Sequence, residues 1–236
     1  MTKALLSYEA PSTPRVQHDD FQSLVTALSR CASATRPDIA YATGMLERCF
    51  HCPSPALRDD AYRVLRYLQH DINSGLTYSR SSAPLAGMSD SDWSVGCSTT
   101  GWAFLYANAS VMWGTFEQPS IALSTCEAEL MAVSAAGDMA VLLSDRLGAL
   151  GRCSAAPVSP SMDNKAARDL AYNPEHHDKS KHISAFHFRI RLHVEAHRLT
   201  IPFVNTEDNY SDFVTKALKP PLFKRFRSVI INIRTP

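Results

Sequence analysis

The stretch from residue 87 to residue 132 constrains the fold most, because it places two pairs of acidic residues at the ends of apolar elements. Asp90 and Asp92 lie near the end of a short apolar strand, and Glu127 and Glu129 lie at the start of an amphipathic helix. A site for two divalent cations requires acids from separate elements, since magnesium prefers carboxylate oxygens. The stretch therefore predicts half of a metal site of the kind that cleaves phosphodiesters.

Two later acids, Asp163 and Asp212, lie at similar junctions and are candidates for the other half of the site. Each also has a simpler interpretation. Asp163 stands where a strand gives way to a helix, which is the usual place of a helix N-cap. Asp212 precedes Lys216 by four residues, which is the spacing of a solvent-facing ion pair on a helix. Spacing alone leaves both interpretations open.

Within the stretch, local geometry separates one pair of acids and leaves the other open. Asp90 and Asp92 point to the same face if the strand continues through both, and only one needs to be a ligand. Glu127 and Glu129 lie about 200° apart around a helix, so they cannot face one site. Ser124 and Glu127 form a capping box, in which the hydroxyl accepts from the N–H of Glu127 and the carboxylate reaches back to the N–H of Ser124. Glu129 is therefore the better candidate ligand.

The pattern after residue 84 predicts an α/β domain. Residues 85–92 predict a short strand, and apolar, aromatic-rich runs over 101–106 and 110–116 predict two more, with Asn108 marking a hairpin between them. Three consecutive strands followed by a long helix, about 124–150, predict an antiparallel meander with a helix packed on it. Further elements are then expected in the following order: a strand over 157–162, a helix over 164–172, a polar loop over 174–181, a basic helix over 183–198, a strand over 199–205, a helix over 208–218 and a basic, aromatic tail.

The first third of the chain has a different pattern and predicts a small helical unit. Residues 1–18 are polar and interrupted by proline, which is typical of a flexible tail. Apolar residues at helical spacing then predict three helices between residues 19 and 70, followed by a strand over 75–79. The small, polar and proline residues of 79–84 predict a linker, so we place the domain boundary at about residue 80.

Composition excludes several classes of protein. The formal net charge is +1, so nucleic-acid binding would depend on local basic patches. No run approaches the ~18 apolar residues that span a membrane. The start of the chain lacks the apolar core of a signal peptide, so we expect an intracellular, non-secreted protein with six reduced cysteines. Cys49 and Cys52 form a lone C-x-x-C without the second pair that a zinc site needs.

A set of motifs in family order, from about residue 21 to residue 227, resembles one protein family. The motifs are Thr35-Arg36-Pro37-Asp38-Ile39-Ala40-Tyr41-Ala42, Arg63-Val64-Leu65-Arg66-Tyr67-Leu68, Gly75-Leu76-Thr77-Tyr78, Ser89-Asp90-Ser91-Asp92-Trp93, Ser98-Thr99-Thr100-Gly101-Trp102, Ala122-Leu123-Ser124-Thr125-Cys126-Glu127-Ala128-Glu129-Leu130-Met131-Ala132, Asp163-Asn164, Lys181-His182-Ile183 and Asp212-Phe213-Val214-Thr215-Lys216-Ala217-Leu218. The chain resembles the C-terminal part of a copia-type LTR-retrotransposon Pol polyprotein, namely the end of the reverse transcriptase followed by its ribonuclease H domain.

The resemblance implies a ribonuclease H-like fold, which is a mixed central sheet with helices on both faces. It implies that residues 19–80 are a helical remnant of the thumb or connection of the reverse transcriptase, and that residues 81–236 are the ribonuclease H-like domain. It also implies hydrolysis of the RNA strand of RNA–DNA hybrids with two Mg²⁺ ions, for which Mn²⁺ is a substitute. The four metal-binding acids of the family fall on Asp90, Glu129, Asp163 and Asp212, which selects Asp90 over Asp92.

The expected partners are an RNA–DNA hybrid and the upstream reverse-transcriptase domain of the same polyprotein. The 2′-hydroxyl and the minor groove distinguish RNA from DNA, and cations hold the phosphates. Lys181, His182, Arg189 and Arg191 are candidates for that contact, and a solvated basic helix face is the alternative. The expected compartment is the cytoplasm, with virus-like particles and the nucleus as further locations.

Two departures from the family leave a second function open. The turn at Gly96-Cys97-Ser98-Thr99 lacks the arginine of many relatives, and the turn at Thr115-Phe116-Glu117-Gln118 lacks their lysines. Both losses reduce the basic surface that would hold a substrate. The alternative is therefore a catalytically inactive retroelement remnant that acts as a nucleic-acid-binding or polymerase-docking module.

Overall fold

The computed structural model of the chain describes residues 18–152, 157–172 and 184–232. Residues 1–17 of the tail predicted over 1–18, the whole polar loop of 174–181, and the candidates Lys181 and His182 lie outside the described residues. Contacts divide the chain into two compact units: residues up to Thr77 together with those from Ala217 onward, and Tyr78–Lys216. The sequence-based boundary at residue 80 lies close to this division, but the segment from Ala217 onward belongs to the helical unit and not to the α/β unit.

Eight helices and four strands are described in these ranges, together with two single turns of 3₁₀ helix at Pro37–Ile39 and Thr206–Asp208. The elements are α1 (His18–Ala34), α2 (Ala40–Glu47), α3 (Pro55–His70), β1 (Ala86–Asp92), β2 (Thr99–Tyr106), β3 (Ala109–Glu117), α4 (Thr125–Ala149), β4 (Ser159–Ser161), α5 (Lys165–Tyr172), α6 (Ser184–Glu195), α7 (Asp212–Thr215) and α8 (Pro220–Ile231). None of the helices in the described part of the chain is long and apolar enough to cross a bilayer.

The helical unit packs the predicted apolar stripe of α1 against α2 and α3. Phe21, Val25 and Leu28 are buried with Leu46 of α2 and Leu57 of α3. Residues spaced three or four positions apart lie on the same face of a helix, so the spacing of the apolar residues alone predicted which side of α1 is buried. Burial of such side chains contributes roughly 1.5–3 kcal/mol each.

A buried charge cluster joins the start of the helical unit to α8. The Asp38 carboxylate accepts two hydrogen bonds from the Arg36 guanidinium, at 2.9 and 2.8 Å, and one from the Tyr67 hydroxyl at 2.7 Å. Arg227 of α8 donates to the same carboxylate at 3.2 Å. The basic, aromatic segment predicted as a tail is a helix, in which Pro220 and Pro221 occupy the first turn, where a missing N–H costs nothing.

The α/β unit is built on a four-stranded mixed sheet in the order β3-β2-β1-β4. β1, β2 and β3 form the predicted antiparallel meander, and β4 pairs with β1 in parallel. Residues 107 and 108 adopt positive φ angles of 54° and 67°, which is the backbone of a tight hairpin turn. The predicted strand over 199–205 forms only isolated parallel bridges, to Val158 and Met162 on either side of β4. The predicted strand over 75–79 is irregular.

Helices lie on both faces of this sheet, as neighbouring residues of β2 show. Trp102 packs in the core on the α4 side, with Ala136 of α4. A Cβ added at Gly101 would lie on the opposite face of the sheet, only 2.3 Å from Cγ2 of Thr215 in α7. Successive residues of a strand face opposite sides, so α4 and α7 cover opposite faces. The helix predicted over 208–218 is reduced to the four residues of α7.

Candidate metal centre

Asp90 lies in β1 opposite Gly101 of β2, and its side chain is buried. Asp92 lies two residues further along and is exposed, because β1 ends there. The two acids share a strand face, which is why the sequence pattern could not separate them, but one is buried and the other is exposed. Of the two, the structure brings Asp90 into the acidic cluster.

The capping geometry at the start of α4 separates Glu127 from Glu129. The Ser124 hydroxyl accepts from the N–H of Glu127 at 3.1 Å, as predicted. The Glu127 carboxylate accepts from the N–H of Leu123 at 2.7 Å, one residue earlier than the predicted partner. Glu129 faces the sheet instead, where its Oε1 accepts from the N–H of Ser91 at 3.3 Å.

Asp163 follows β4 and completes a group of three carboxylates. One oxygen from each of Asp90, Glu129 and Asp163 lies within 4.8 Å of the other two. The N-cap interpretation of Asp163 is not needed, because Oδ1 of Asn164 accepts from the N–H of Ala167 at 3.0 Å in the first turn of α5. In the described part of the chain, Cys49 and Cys52 belong to no such group.

Asp212 reaches the cluster through Lys216. The Lys216 ammonium donates to Oδ1 of Asp212 at 2.9 Å and lies 3.2 Å from both carboxylate oxygens of Asp90. The predicted i, i+4 pair is present, but it is not solvent-facing, since the Asp212 side chain is only 7% exposed. The Thr215 hydroxyl also donates to Oδ2 of Asp90. The structure thus brings together all four acids that the sequence proposed, with a lysine between two of them.

The electrostatics of the cluster follow from burial and from like charge. Burial raises the pKa of Asp90, although Lys216 and Thr215 oppose the shift. Burial, together with the charges of Asp90 and Asp163, raises the pKa of Glu129 well above its usual range. Burial and the charge of Asp90 raise the pKa of Asp212 to about 7. Acids that resist ionisation when they are close together are characteristic of a site that gains a cation.

The cation between Asp90 and Asp212 is itself strongly held. Burial by itself lowers the pKa of Lys216, but the charges of Asp90 and Asp212 raise it above the ordinary value for lysine. Lys216 therefore remains protonated at neutral pH. Its side chain is 31% exposed, which leaves a path from solvent to the ammonium.

The two described basic candidates for nucleic-acid contact are paired with acids of their own. Arg189 of α6 forms an ion pair of 2.8 Å with Asp138 of α4, and Arg191 forms one of 2.7 Å with Glu195. Asp138 lies nine residues beyond Glu129, or about 13 Å along α4 at 1.5 Å per residue. The structure does not bring Arg189 to the acidic cluster.

Sequence reasoning missed the contributions of Thr215 and Lys216 to Asp90, which lies more than a hundred positions earlier. The i, i+4 spacing pointed to the pair of Asp212 and Lys216, but no local signal links either residue to β1. The close approach of α7 to Gly101 brings them there, and that approach depends on the absence of a side chain at residue 101.

No protein-family model matches the chain. The chain is 30% identical over 222 residues to the retrovirus-related Pol polyprotein from transposon RE1 of Arabidopsis thaliana. That match covers 92% of the chain and 15% of the polyprotein.

Among solved structures, the chain resembles a foamy viral protease–reverse transcriptase in complex with an RNA/DNA hybrid, with 11% identity and a TM-score of 0.52. That alignment covers 92% of this chain and 28% of the viral one. It also resembles the N-terminal RNase H domain of a Mycobacterium tuberculosis protein, solved as a fusion with maltose-binding protein, with 15% identity and a TM-score of 0.41 over 61% of this chain and 96% of the other.

The mixed sheet, the helices on both of its faces and the sequence match agree with one another. The predicted ribonuclease H-like fold is confirmed. Over 92% of its length the chain is similar to a retrovirus-related Pol polyprotein of a transposon, and it spans about 15% of the length of that polyprotein from transposon RE1.

Proposed function

We propose that the chain is the ribonuclease H part of a copia-type Pol polyprotein and that it hydrolyses the RNA strand of RNA–DNA hybrids with the help of Mg²⁺. The observation that carries this proposal is the convergence of Asp90, Glu129 and Asp163, with carboxylate oxygens within 4.8 Å of one another. These three acids come from β1, from α4 and from the second residue after β4. The fold assembles them although long stretches of chain separate them.

The residues present fit a divalent cation. Oε2 of Glu129 is buried and has no hydrogen-bond partner among the residues that the structure describes, although an unpaired buried carboxylate oxygen is costly. Hard oxygen ligands of this kind suit magnesium, with manganese as its substitute. When bound, such a cation supplies positive charge that stabilises the developing charge on the phosphoryl group and makes water more acidic.

The protein's own residues hold the ligands in place. The N–H of Ser91 fixes Oε1 of Glu129, so that the other oxygen of this carboxylate stays without a protein partner. The Thr215 hydroxyl and the Lys216 ammonium hold the Asp90 carboxylate from the α7 side. Such positioning matters because misplacing a reacting group by about 1 Å can cost about 100-fold in rate.

The solved structure that resembles this chain over 92% of its length is a reverse transcriptase in complex with a hybrid. Together with the sequence match, it supports an RNA–DNA hybrid as the substrate and an upstream reverse-transcriptase domain as the partner of this chain. Lys181, His182, Arg189 and Arg191 remain the proposed contacts to the hybrid. We propose an intracellular location, as the resemblance to Pol polyproteins implies.

The test is cleavage of an RNA–DNA hybrid, labelled on the RNA strand, by the full 236-residue chain in the presence of magnesium. DNA duplexes and RNA duplexes of the same sequence serve as substrate controls. Asp90→Asn should lose about 100-fold or more in rate, whereas Asp92→Asn, which removes an exposed acid from the same strand, should cleave like the parent. Absence of cleavage by the parent, or equal rates in the parent and Asp90→Asn, would refute the proposal.

A catalytically inactive, nucleic-acid-binding remnant is the second candidate. The observation that favours it is the pairing of Arg189 with Asp138 and of Arg191 with Glu195, which reduces the positive charge available to a substrate. This candidate predicts hybrid binding without turnover. Electrophoretic mobility shift of the same labelled hybrid, measured beside the cleavage assay, distinguishes the two functions.

A further inference from the structure

Lys216 occupies an unusual position for a basic residue, because it lies inside the acidic cluster. Its ammonium lies 2.9 Å from Oδ1 of Asp212 and 3.2 Å from both oxygens of Asp90. The ammonium thus contacts the two acids that lie on the α7 side of the site. The three acids with mutually close oxygens are Asp90, Glu129 and Asp163, so Asp212 is outside the group that could hold one ion.

Asp212 and Lys216 are held together by their own segment. Asp212 begins α7 and Lys216 directly follows its last residue, where the N–H of Lys216 bonds to the carbonyl of Asp212, so the two residues are about one helical turn apart. α7 is in turn fixed against β2 by the close approach of Thr215 to Gly101. The fold therefore places the backbone of Lys216 beside the two acids, and the ion pairs with Asp90 and Asp212 then hold its ammonium.

We propose that the Lys216 ammonium takes the place of a second divalent cation, so that the site binds one ion tightly at Asp90, Glu129 and Asp163. This inference rests on the proposed metal-dependent function and changes the expected number of ions from two to one. Four carboxylates carry a charge of −4 when ionised; one divalent ion and one ammonium bring this to −1. A second divalent ion would bring it to +1 and would place the ion beside the ammonium.

The expected effect on a second ion is large. Even at the dielectric constant of water, a unit charge about 4 Å from a divalent cation weakens its binding by about thirtyfold. Removing the charge of Lys216 should therefore allow a second ion to bind, held by Asp90 and Asp212. Replacing Lys216 with arginine should retain the charge and the single ion.

The experiment counts Mn²⁺ ions bound to the full chain, by electron paramagnetic resonance of free Mn²⁺ and by titration calorimetry. We expect one tight ion for the parent and two for Lys216→Met, with the affinity for the second ion raised about tenfold or more. Lys216→Arg and the control Lys219→Met, an exposed lysine three residues on, should bind one. Two ions of similar affinity in the parent, or one ion in a folded Lys216→Met, would overturn the inference.

Asp212→Asn provides an independent test if Lys216→Met fails to fold. If the ammonium and not an ion occupies the position next to Asp212, this variant should still bind one Mn²⁺. Loss of a tightly bound ion in Asp212→Asn would contradict the inference. The ion count and the cleavage assay test different proposals. One bound ion without hybrid cleavage would support the role of Lys216 and refute the nuclease. Two bound ions with hybrid cleavage would support the nuclease and refute the role of Lys216.

Discussion

The close approach of α7 to β2 at Gly101 connects the stability of the α/β unit to its acidic site. An alanine Cβ at residue 101 would lie 2.3 Å from Cγ2 of Thr215 and 2.8 Å from Cγ2 of Val214. Ordinary contacts between carbon atoms begin at about 3.5 Å, so α7 would have to move by about 1 Å. Overpacking of this kind costs roughly 1–3 kcal/mol. We expect Gly101→Ala to lower the free energy of unfolding by that amount.

The same movement should also reduce cleavage. Thr215, which the added methyl would displace, donates to Asp90, and its neighbour Lys216 bridges Asp90 and Asp212. A shift of about 1 Å in these groups would lower the rate of hybrid cleavage by about 100-fold. Both effects follow from a single methyl group that touches no metal ligand directly.

Two other glycines give matched controls for this experiment. An alanine Cβ at Gly114 would lie 2.6 Å from the Trp102 ring, in a similar clash away from α7, whereas one at Gly96 has no atom closer than 4.0 Å. We expect Gly114→Ala to lose stability but retain cleavage, and Gly96→Ala to change stability by less than about 0.5 kcal/mol.

Urea unfolding followed by tryptophan fluorescence measures the stability of the relevant unit, because all three tryptophans lie between Tyr78 and Lys216. If Gly101→Ala unfolds at the same urea concentration as Gly96→Ala and cleaves the hybrid like the parent, the contact between α7 and β2 does not position the site. Loss of cleavage by Gly114→Ala to the same extent would show instead that any clash in the sheet has this effect.

Three further perturbations test the helical unit, the start of α4 and the acids. Asp38→Ala leaves a buried guanidinium without its partner, so thermal melting should show a loss of about 3–5 kcal/mol, and retention of the parent's stability would contradict the buried cluster. Ser124→Ala should cost about 1 kcal/mol in urea unfolding, whereas Ser120→Ala should cost less. Because burial raises the pKa of Asp212 from 3.8 to about 7, the folded metal-free protein binds this proton more tightly than the unfolded chain. The free energy of unfolding should therefore fall as pH rises from about 4 to about 7, by at most about 4 kcal/mol from this group; Asp212→Asn should show a weaker pH dependence in EDTA, and an unchanged one would refute the assignment.

The sequence predicted the parts of the site that local rules decide. The capping box identified the role of Glu127, and rotation about the helix axis then left Glu129 to face the site. Both follow from residues within one helical turn, which is the range over which backbone geometry is strongly determined. Spacing alone did not choose between Asp90 and Asp92, because alternate residues of a strand share a face. The resemblance selected Asp90, and in the structure Asp90 is buried whereas Asp92 is exposed.

The errors arose where contacts between distant segments decide the structure. Residues 75–79 have strand-like composition, but the N–H of Thr77 bonds to the carbonyl of Ile231 at the end of α8 and no ladder forms. α8 itself carried a signal that was read as a tail: two prolines in a first turn, followed by buried Phe226 and Ile230 at i, i+4. The role of Lys216 had no comparable signal, because its contact with Asp90 depends on tertiary packing.

The acidic cluster is better explained by cation binding than by stability. Burial opposes ionisation of Asp90, Glu129 and Asp212, and Lys216 offsets only part of that cost, at Asp90 and Asp212. Apolar residues of similar size in place of buried charged groups are often neutral or stabilising. An ion that binds only the folded chain reverses this balance, since a free concentration of one hundred times its Kd adds about 2.7 kcal/mol. On the proposed function, the fold holds these carboxylates in an arrangement that a bound cation would make favourable. The motive is Oε2 of Glu129, which is buried and has no hydrogen-bond partner among the described residues.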